Sequence, residues 1–389
     1  PILPLSEVRT GMMGEARTVV TGTTIERFPV RVLGVQRLGA TPGGTLILVR
    51  AEGPLITPIG VAEGMSGSPV YITGPDGVQR VIGAIAFGTG DEGGLVVGVT
   101  PIESMISSAR LGGVPLGARE NARPSAAAPA LPIRRATLVD GRAAALRWER
   151  RHPERRALYP LRRWMIGGAS SPVLGPLARA LRAQGIRATA APAAQSPVEA
   201  PLVPGASMSA LLSAGDLSVG AIGTVTYVDG RTVLGFGHPF LGAGASRFLL
   251  AGGDITTTIA APLNDSSYKL GVPTGLRGMI VGDRTDGIVG RIGGVAGITA
   301  TSRAIDRDRK TDLTARSTLA PDRRALALLA PIVQGEPAFA VRVGIEGGTL
   351  RLTITVRSRA LRGPLVYRNV YAAAGDVISL ANGELARIT

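Results

Sequence analysis

Along residues 5–110, short apolar and β-branched runs alternate with turn signals of glycine, proline or aspartate. The clearest runs are EARTVVTG, FPVRVLGV, TLILVRA, PVYITGPDG, RVIGAIAFG and GLVVGVTPI. Such runs predict short antiparallel strands joined by tight turns, as in a barrel or sandwich. The pattern lapses over 113–165, where Ala, Pro and Arg dominate (ENARPSAAAPALPIRRA), and that stretch reads as a linker crossing the surface. Over 172–186 the pattern changes. PVLGPLARALRAQGI places Leu174, Leu177, Ala178 and Leu181 on one helical face, with Gly185 as the C-terminal stop. Strand patterns return over 201–303 and continue to the end in runs such as AFAVRVGI and TLRLTITVRS. Five segments follow: a strand-rich half over 1–112, the linker over 113–165 and a small helical insertion over 166–200. A second strand-rich half covers 201–303, and a β-rich C-terminal extension covers 304–389.

Composition supports a turn-rich globular chain. The 389 residues are 45% hydrophobic and only 4% aromatic, with 54 glycines and 28 prolines. The formal net charge is +15, yet Lys269 and Lys310 are the only lysines, and the arginines are scattered along the chain. Scattered arginines with few aromatic stacking platforms argue against nucleic-acid binding. The densest basic run, RWERRHPERRALYPLRRW (147–164), also holds glutamates. It reads first as a solvated surface, and secondly as a contact for an anionic membrane or cell-wall polymer. With no cysteine, two histidines and dispersed acids, neither a metal-ligand set nor a cofactor is expected. No apolar run is long enough to span a membrane as a helix. Because the sequence opens at Pro1, an export segment or anchor is expected to have been removed, which would place the protein outside the cytoplasm.

The densest chemistry lies in Gly64-Met65-Ser66-Gly67-Ser68-Pro69. A serine nucleophile needs a sharp turn that lifts its hydroxyl clear of the backbone, with amide N–H groups converging where the carbonyl oxygen becomes negative. Glycines on both sides permit that turn. The amides of Gly64 and Ser66 would form the oxyanion hole. A serine also needs a base, and the choice is short: His152 in the arginine-rich run, or His238 in AIGTVTYVDGRTVLGFGHPF, a strand, a turn, a second strand and then Gly-His-Pro. A glycine-rich hairpin with an incidental serine, and a histidine at a strand end, remain the plain structural alternatives.

The run GMSGSP, followed by strand, turn and strand, resembles the Gly-Asp-Ser-Gly-Gly-Pro region of chymotrypsin-like serine peptidases. It is closer to the SpoIVB-type branch, with further similarity in GEARTVVTGTTIERFPVRVLGV, in VTPIESMI and around His238. The resemblance implies a mostly β fold, a permuted chymotrypsin-like double β-barrel with the serine half before the histidine half. It also implies an endopeptidase acting on protein or peptide substrates through an acyl-enzyme. In it Ser66 is the nucleophile, Ser68 a turn residue and His238 the general base, while Ala86, Phe87 and Gly88 form the edge to which a substrate strand adds. The third catalytic member is open. Asp283 has the expected spacing after His238, and Glu52 lies one position from Ala51, where the family places an acid; Asp254, Asp265 and Asp286 are also in range, and a bare Ser–His dyad is a further option. Met65 replaces the aspartate that pairs with a freed N-terminus in digestive enzymes, and Gly60 puts no charge at the base of the specificity pocket. The loss of the acid at Ala51 favours a rival, a non-catalytic envelope binding module on the same barrels. A basic DNA binder, the weakest reading, predicts strongly salt-dependent binding.

Overall fold

The computed structural model describes residues 1–37, 44–90, 93–114, 116, 136–192, 195–261, 265–342 and 347–388. The first half of the chain forms β1 (Met13–Val19), β2 (Ile25–Arg37), β3 (Thr45–Ala51), β4 (Pro69–Thr73), β5 (Gln79–Thr89) and β6 (Val96–Pro101). These six strands pair antiparallel in the order β4-β1-β2-β3-β6-β5 and close through β4 and β5 into a barrel. Their inward positions, among them Phe28, Val30, Ile47, Val49, Val70 and Ile85, form one apolar core. Strand β2 alternates over 27–32, buried at Phe28, Val30 and Val32 and exposed at Arg27, Pro29 and Arg31, whereas β3, β5 and β6 are buried along most of their length and read as nearly continuous apolar runs. Helix α1 (Ile102–Leu111) follows and buries Ile102, Met105, Ile106 and Ala109.

The expected linker needs correction. Residues 117–135 lie outside the described residues, but the rest of that stretch is ordered as β7 (Ala136–Leu138), α2 (Arg142–Arg151) and β8 (Arg156–Pro160). Strand β8 adds antiparallel to the edge of β5, and β7 pairs parallel with β8. Leu158, Tyr159 and Leu161, apolar residues inside a basic run, are buried rather than solvated. An apolar segment beside an open strand edge loses less by pairing than by facing water. His152 is the C-cap of α2, stacked on Trp148 with ring centroids 4.4 Å apart, a structural role.

The chain then passes to a second sheet. Strands β9 (Trp164–Gly167) and β10 (Ala188–Ala191) run parallel on either side of α3 (Ser171–Ala183). This is the expected helical insertion: Val173, Leu177 and Leu181 are buried, and the Gly185 N–H donates to the Arg182 carbonyl. Strands β11 (Ser207–Gly215), β12 (Ser218–Asp229), β13 (Thr232–Gly235), β14 (Gly244–Ile259), β15 (Tyr268–Arg284) and β16 (Gly287–Ile292) pair antiparallel. Their order is β12-β13-β16-β15-β14-β11, and the β11–β12 pairing closes them into a second ring.

The C-terminal extension is mixed rather than β-rich. A hairpin of β17 (Ile298–Asp306) and β18 (Thr311–Leu319) joins β11, and α4 (Arg323–Val341) packs on it. A second hairpin, β19 (Gly348–Val356) and β20 (Leu365–Ala373), and helix α5 (Val377–Ile388) complete the chain. TLRLTITV is a strand as expected. AFAVRVGI is not, because residues 338–341 finish α4; residues 343–345 lie outside the described residues.

The two rings pack together. Val81, Ala84, Ile102 and Met105 from the first share a core with Leu234 and Val289 from the second. Isolated bridges Gly22↔Ile255 and Glu63↔Tyr268 cross the same seam.

Candidate active site

The serine loop enters the seam between Glu63 and β4. Gly67 has φ +96°, and a side chain there would place Cβ 1.9 Å from the Thr224 carbonyl oxygen, so only glycine fits. The close approach lets the second ring hold the loop directly: the Thr224 N–H donates to the Ser66 carbonyl at 2.7 Å, and the Thr226 hydroxyl donates to the Gly67 carbonyl at 2.7 Å. From the other side, the Gly67 N–H donates to the Ile85 carbonyl at 2.7 Å. Ser68 donates its hydroxyl to the Met65 carbonyl at 2.6 Å, a turn role. Ser66 is left with a buried hydroxyl that has no hydrogen-bond partner.

His238 arrives at the same seam from β13. The approach is strained, with Phe236 at φ +68° ahead of Gly237 at φ +67°. Gly237 lies flat on β5, where a side chain would meet Ala84 and Ala86 at about 3 Å, and its carbonyl accepts from the Thr100 hydroxyl at 2.6 Å. The imidazole is fully buried between Phe87 and Phe236. Its Nδ1 lies 2.9 Å from the Pro239 carbonyl. A carbonyl can only accept, so Nδ1 carries the proton and Nε2 presents a lone pair, the tautomer a general base requires. Nε2 is buried and has no partner, and no hydrogen bond joins it to Ser66. Burial pushes the ring down to about 3; the Pro239 carbonyl opposes this, the Arg162 charge adds to it, and the nearby Leu161 carbonyl opposes it.

The proposed acids do not reach the ring. Asp283 is buried on β15, but its carboxylate accepts from the amides of Phe240 at 2.7 Å, Leu241 at 2.7 Å and Ala243 at 3.0 Å. It fixes the loop that follows His238 and is a positioning residue, not a partner of Nδ1. From β15 its carboxylate faces loop backbone rather than the imidazole. Glu52 pairs with Arg31 at 3.3 Å. The other acids are also engaged elsewhere: Asp286 accepts from Ser108, Asp254 from Ser196, and Asp265 pairs with Arg187.

The edge formed by Ala86, Phe87 and Gly88 is not open. Phe87 faces Pro160, Gly88 faces Tyr159, and the Leu161 N–H donates to the Ala86 carbonyl at 3.0 Å. The Leu161 carbonyl in turn accepts from the Gly64 N–H at 3.0 Å. Gly64, expected to bind an oxyanion, therefore already holds a peptide carbonyl.

Two groups escaped the sequence reading. Glu63, fully buried beside the serine loop, is flanked by Arg163 at 2.8 Å and by Arg187, and both arginines also meet Asp265. Lys269 is fully buried with its stem under Gly64 and its Nζ 2.8 Å from the Thr18 hydroxyl; burial brings it down to about 7. A glutamate directly before GMSGSP and one of the two lysines in an arginine-rich chain were the available signals, but their partners are distant in sequence.

No family model matches the chain, and neither does any curated protein or solved structure.

Proposed function

We propose that the protein is a serine endopeptidase of the SpoIVB-type kind, with its two rings arranged as a permuted chymotrypsin-like double barrel. The observation that carries this reading is the meeting, at one seam, of a partnerless serine hydroxyl, an imidazole with a bare Nε2 and a peptide carbonyl held by the Gly64 amide. In the reaction, Ser66 Oγ attacks the substrate carbonyl while His238 Nε2 takes its proton. The Gly64 and Ser66 amides hold the negative oxygen, and that proton passes to the departing amine. Water then hydrolyses the Ser66 ester by the same route. The Pro239 carbonyl orients the ring in place of a carboxylate, so the site works as a dyad with a backbone third member.

An exported, envelope-facing setting belongs to the same reading and rests on the resemblance. Arg147, Arg150, Arg151 and Arg155 are exposed and offer a face to an anionic polymer.

The second reading, a non-catalytic envelope module, is favoured by one observation: Ser66 and His238 share no hydrogen bond. Labelling separates the two. A fluorophosphonate should modify Ser66, more readily when Leu161→Gly loosens the neighbouring strand, and Ser66→Ala should take up none. A folded Leu161→Gly protein that never labels at Ser66 overturns the peptidase reading.

A further inference from the structure

We propose that Tyr159-Pro160-Leu161 lies in the substrate cleft as a built-in pseudosubstrate, keeping the site latent and marking its substrates as peptides with leucine before the cleaved bond and proline before that. This rests on the peptidase reading.

Four observations carry it. First, the segment adds to β5 as a substrate strand would, antiparallel, with Tyr159 on Gly88, Pro160 on Phe87 and the Leu161 N–H on the Ala86 carbonyl. The proline fits this register. In an antiparallel ladder alternate residues turn their N–H away from the partner, and only there does a missing N–H cost nothing. Secondly, the Leu161 carbonyl is the one bound by the Gly64 amide, so Leu161–Arg162 stands where the cleaved bond would stand.

Thirdly, the Leu161 side chain is fully buried in the apolar core of the first ring, the core that also takes in Val61, Ala62 and Met65, the residues leading into Ser66. A substrate side chain in its place would enter that apolar core. The core rejects a charged side chain because burying one without a partner is costly. Fourthly, the chain is anchored beyond the bond. It turns at Leu161, with the Arg162 N–H donating to the Pro160 carbonyl at 2.8 Å. Arg162 then reaches the Phe240 carbonyl at 2.8 Å, and Arg163 is held by buried Glu63. A peptide substrate must displace this whole strap. The strap is tethered, so its effective concentration at the cleft is high and apparent affinity for substrate falls with the fraction of open molecules.

The test combines labelling, specificity and exchange. Leu161→Gly and Arg163→Gln, each checked for native circular dichroism, should be phosphonylated at Ser66 at least about tenfold faster than the parent protein, as expected if the open state is the minor one. Leu161→Gly should hydrolyse acetyl-Tyr-Pro-Leu p-nitroanilide about 100-fold better than the Arg or Glu analogues, the scale of rejection by an apolar pocket. Saturating the parent protein with acetyl-Tyr-Pro-leucinal should speed amide exchange across 158–162. If Leu161→Gly fails to fold, Arg163→Gln and the exchange measurement decide. Equal labelling of the parent and both variants, equal cleavage of the charged analogues, or unchanged exchange under saturating aldehyde overturns the strap while leaving Ser66 as the nucleophile. Absence of label in every folded form overturns the peptidase reading and the strap together.

Discussion

Replacing His238 by alanine should lower kcat by about four orders of magnitude, the upper end of what a positioned general base supplies. Acetyl-Tyr-Pro-Leu p-nitroanilide hydrolysis in the Leu161→Gly background reads this directly. The size follows from the geometry. With Nδ1 tied to the Pro239 carbonyl, His238 Nε2 is buried without a hydrogen-bond partner, and the proposed mechanism gives the Ser66 proton to that nitrogen. The pH dependence has a definite sign. A base must be neutral, so activity is present above its pKa and is lost as pH falls through it. In the closed protein burial holds that value at about 3, well below the ordinary 6.5. Displacing the strap readmits water and raises it, so kcat/KM should fall along an acid limb between about 3 and 6.5. Stability should fall over the same window, because unfolding lets the imidazole take up the proton that the fold excludes. Turnover within tenfold of the parent after His238→Ala would remove it from the mechanism.

Asp283→Asn should cost about 3–5 kcal/mol of stability, from several charge-assisted hydrogen bonds that the amide cannot replace. The carboxylate accepts three backbone N–H groups on both of its oxygens. An asparagine oxygen can serve one side only, and its NH2 would face an N–H donor on the other. A denaturant midpoint measures the loss. Turnover of the molecules that remain folded should fall much less than after His238→Ala, since Asp283 acts through the 240–243 loop. The opposite pattern, unchanged stability with a loss of about four orders in turnover, is what a triad acid gives, and it would restore Asp283 to the ring.

The first ring was legible residue by residue. TLILVRA is β3 from end to end, an apolar, β-branched run buried on both faces from Leu46 to Val49. The turns that carry Ser66 and His238 to the seam were legible because each has a local signature of glycines, and Gly67 and Gly237 are glycine for reasons of contact across the seam. What failed was long-range. The pairing of Tyr159 with Gly88 depends on β5 having an open edge, which no local pattern around LYPL reports. Asp283 was read from spacing, and spacing along β15 does not say which way a carboxylate turns. In the tail, AFAVRVGI alternates like a strand and follows Pro331 and Pro337, yet α4 runs through both prolines to Val341. Packing of that helix against β17 and β18 outweighs the local breaks.

The most direct test of the central claim is to trap the acyl group. Acetyl-Tyr-Pro-Leu p-nitrophenyl ester mixed with Leu161→Gly and quenched in acid should leave the acyl mass on the peptide that contains Ser66. Ser66→Ala should carry none, and the adduct should hydrolyse on return to neutral pH. A folded Leu161→Gly protein that carries no acyl group, or carries it on a residue other than Ser66, would contradict the assignment of this seam as a serine peptidase site.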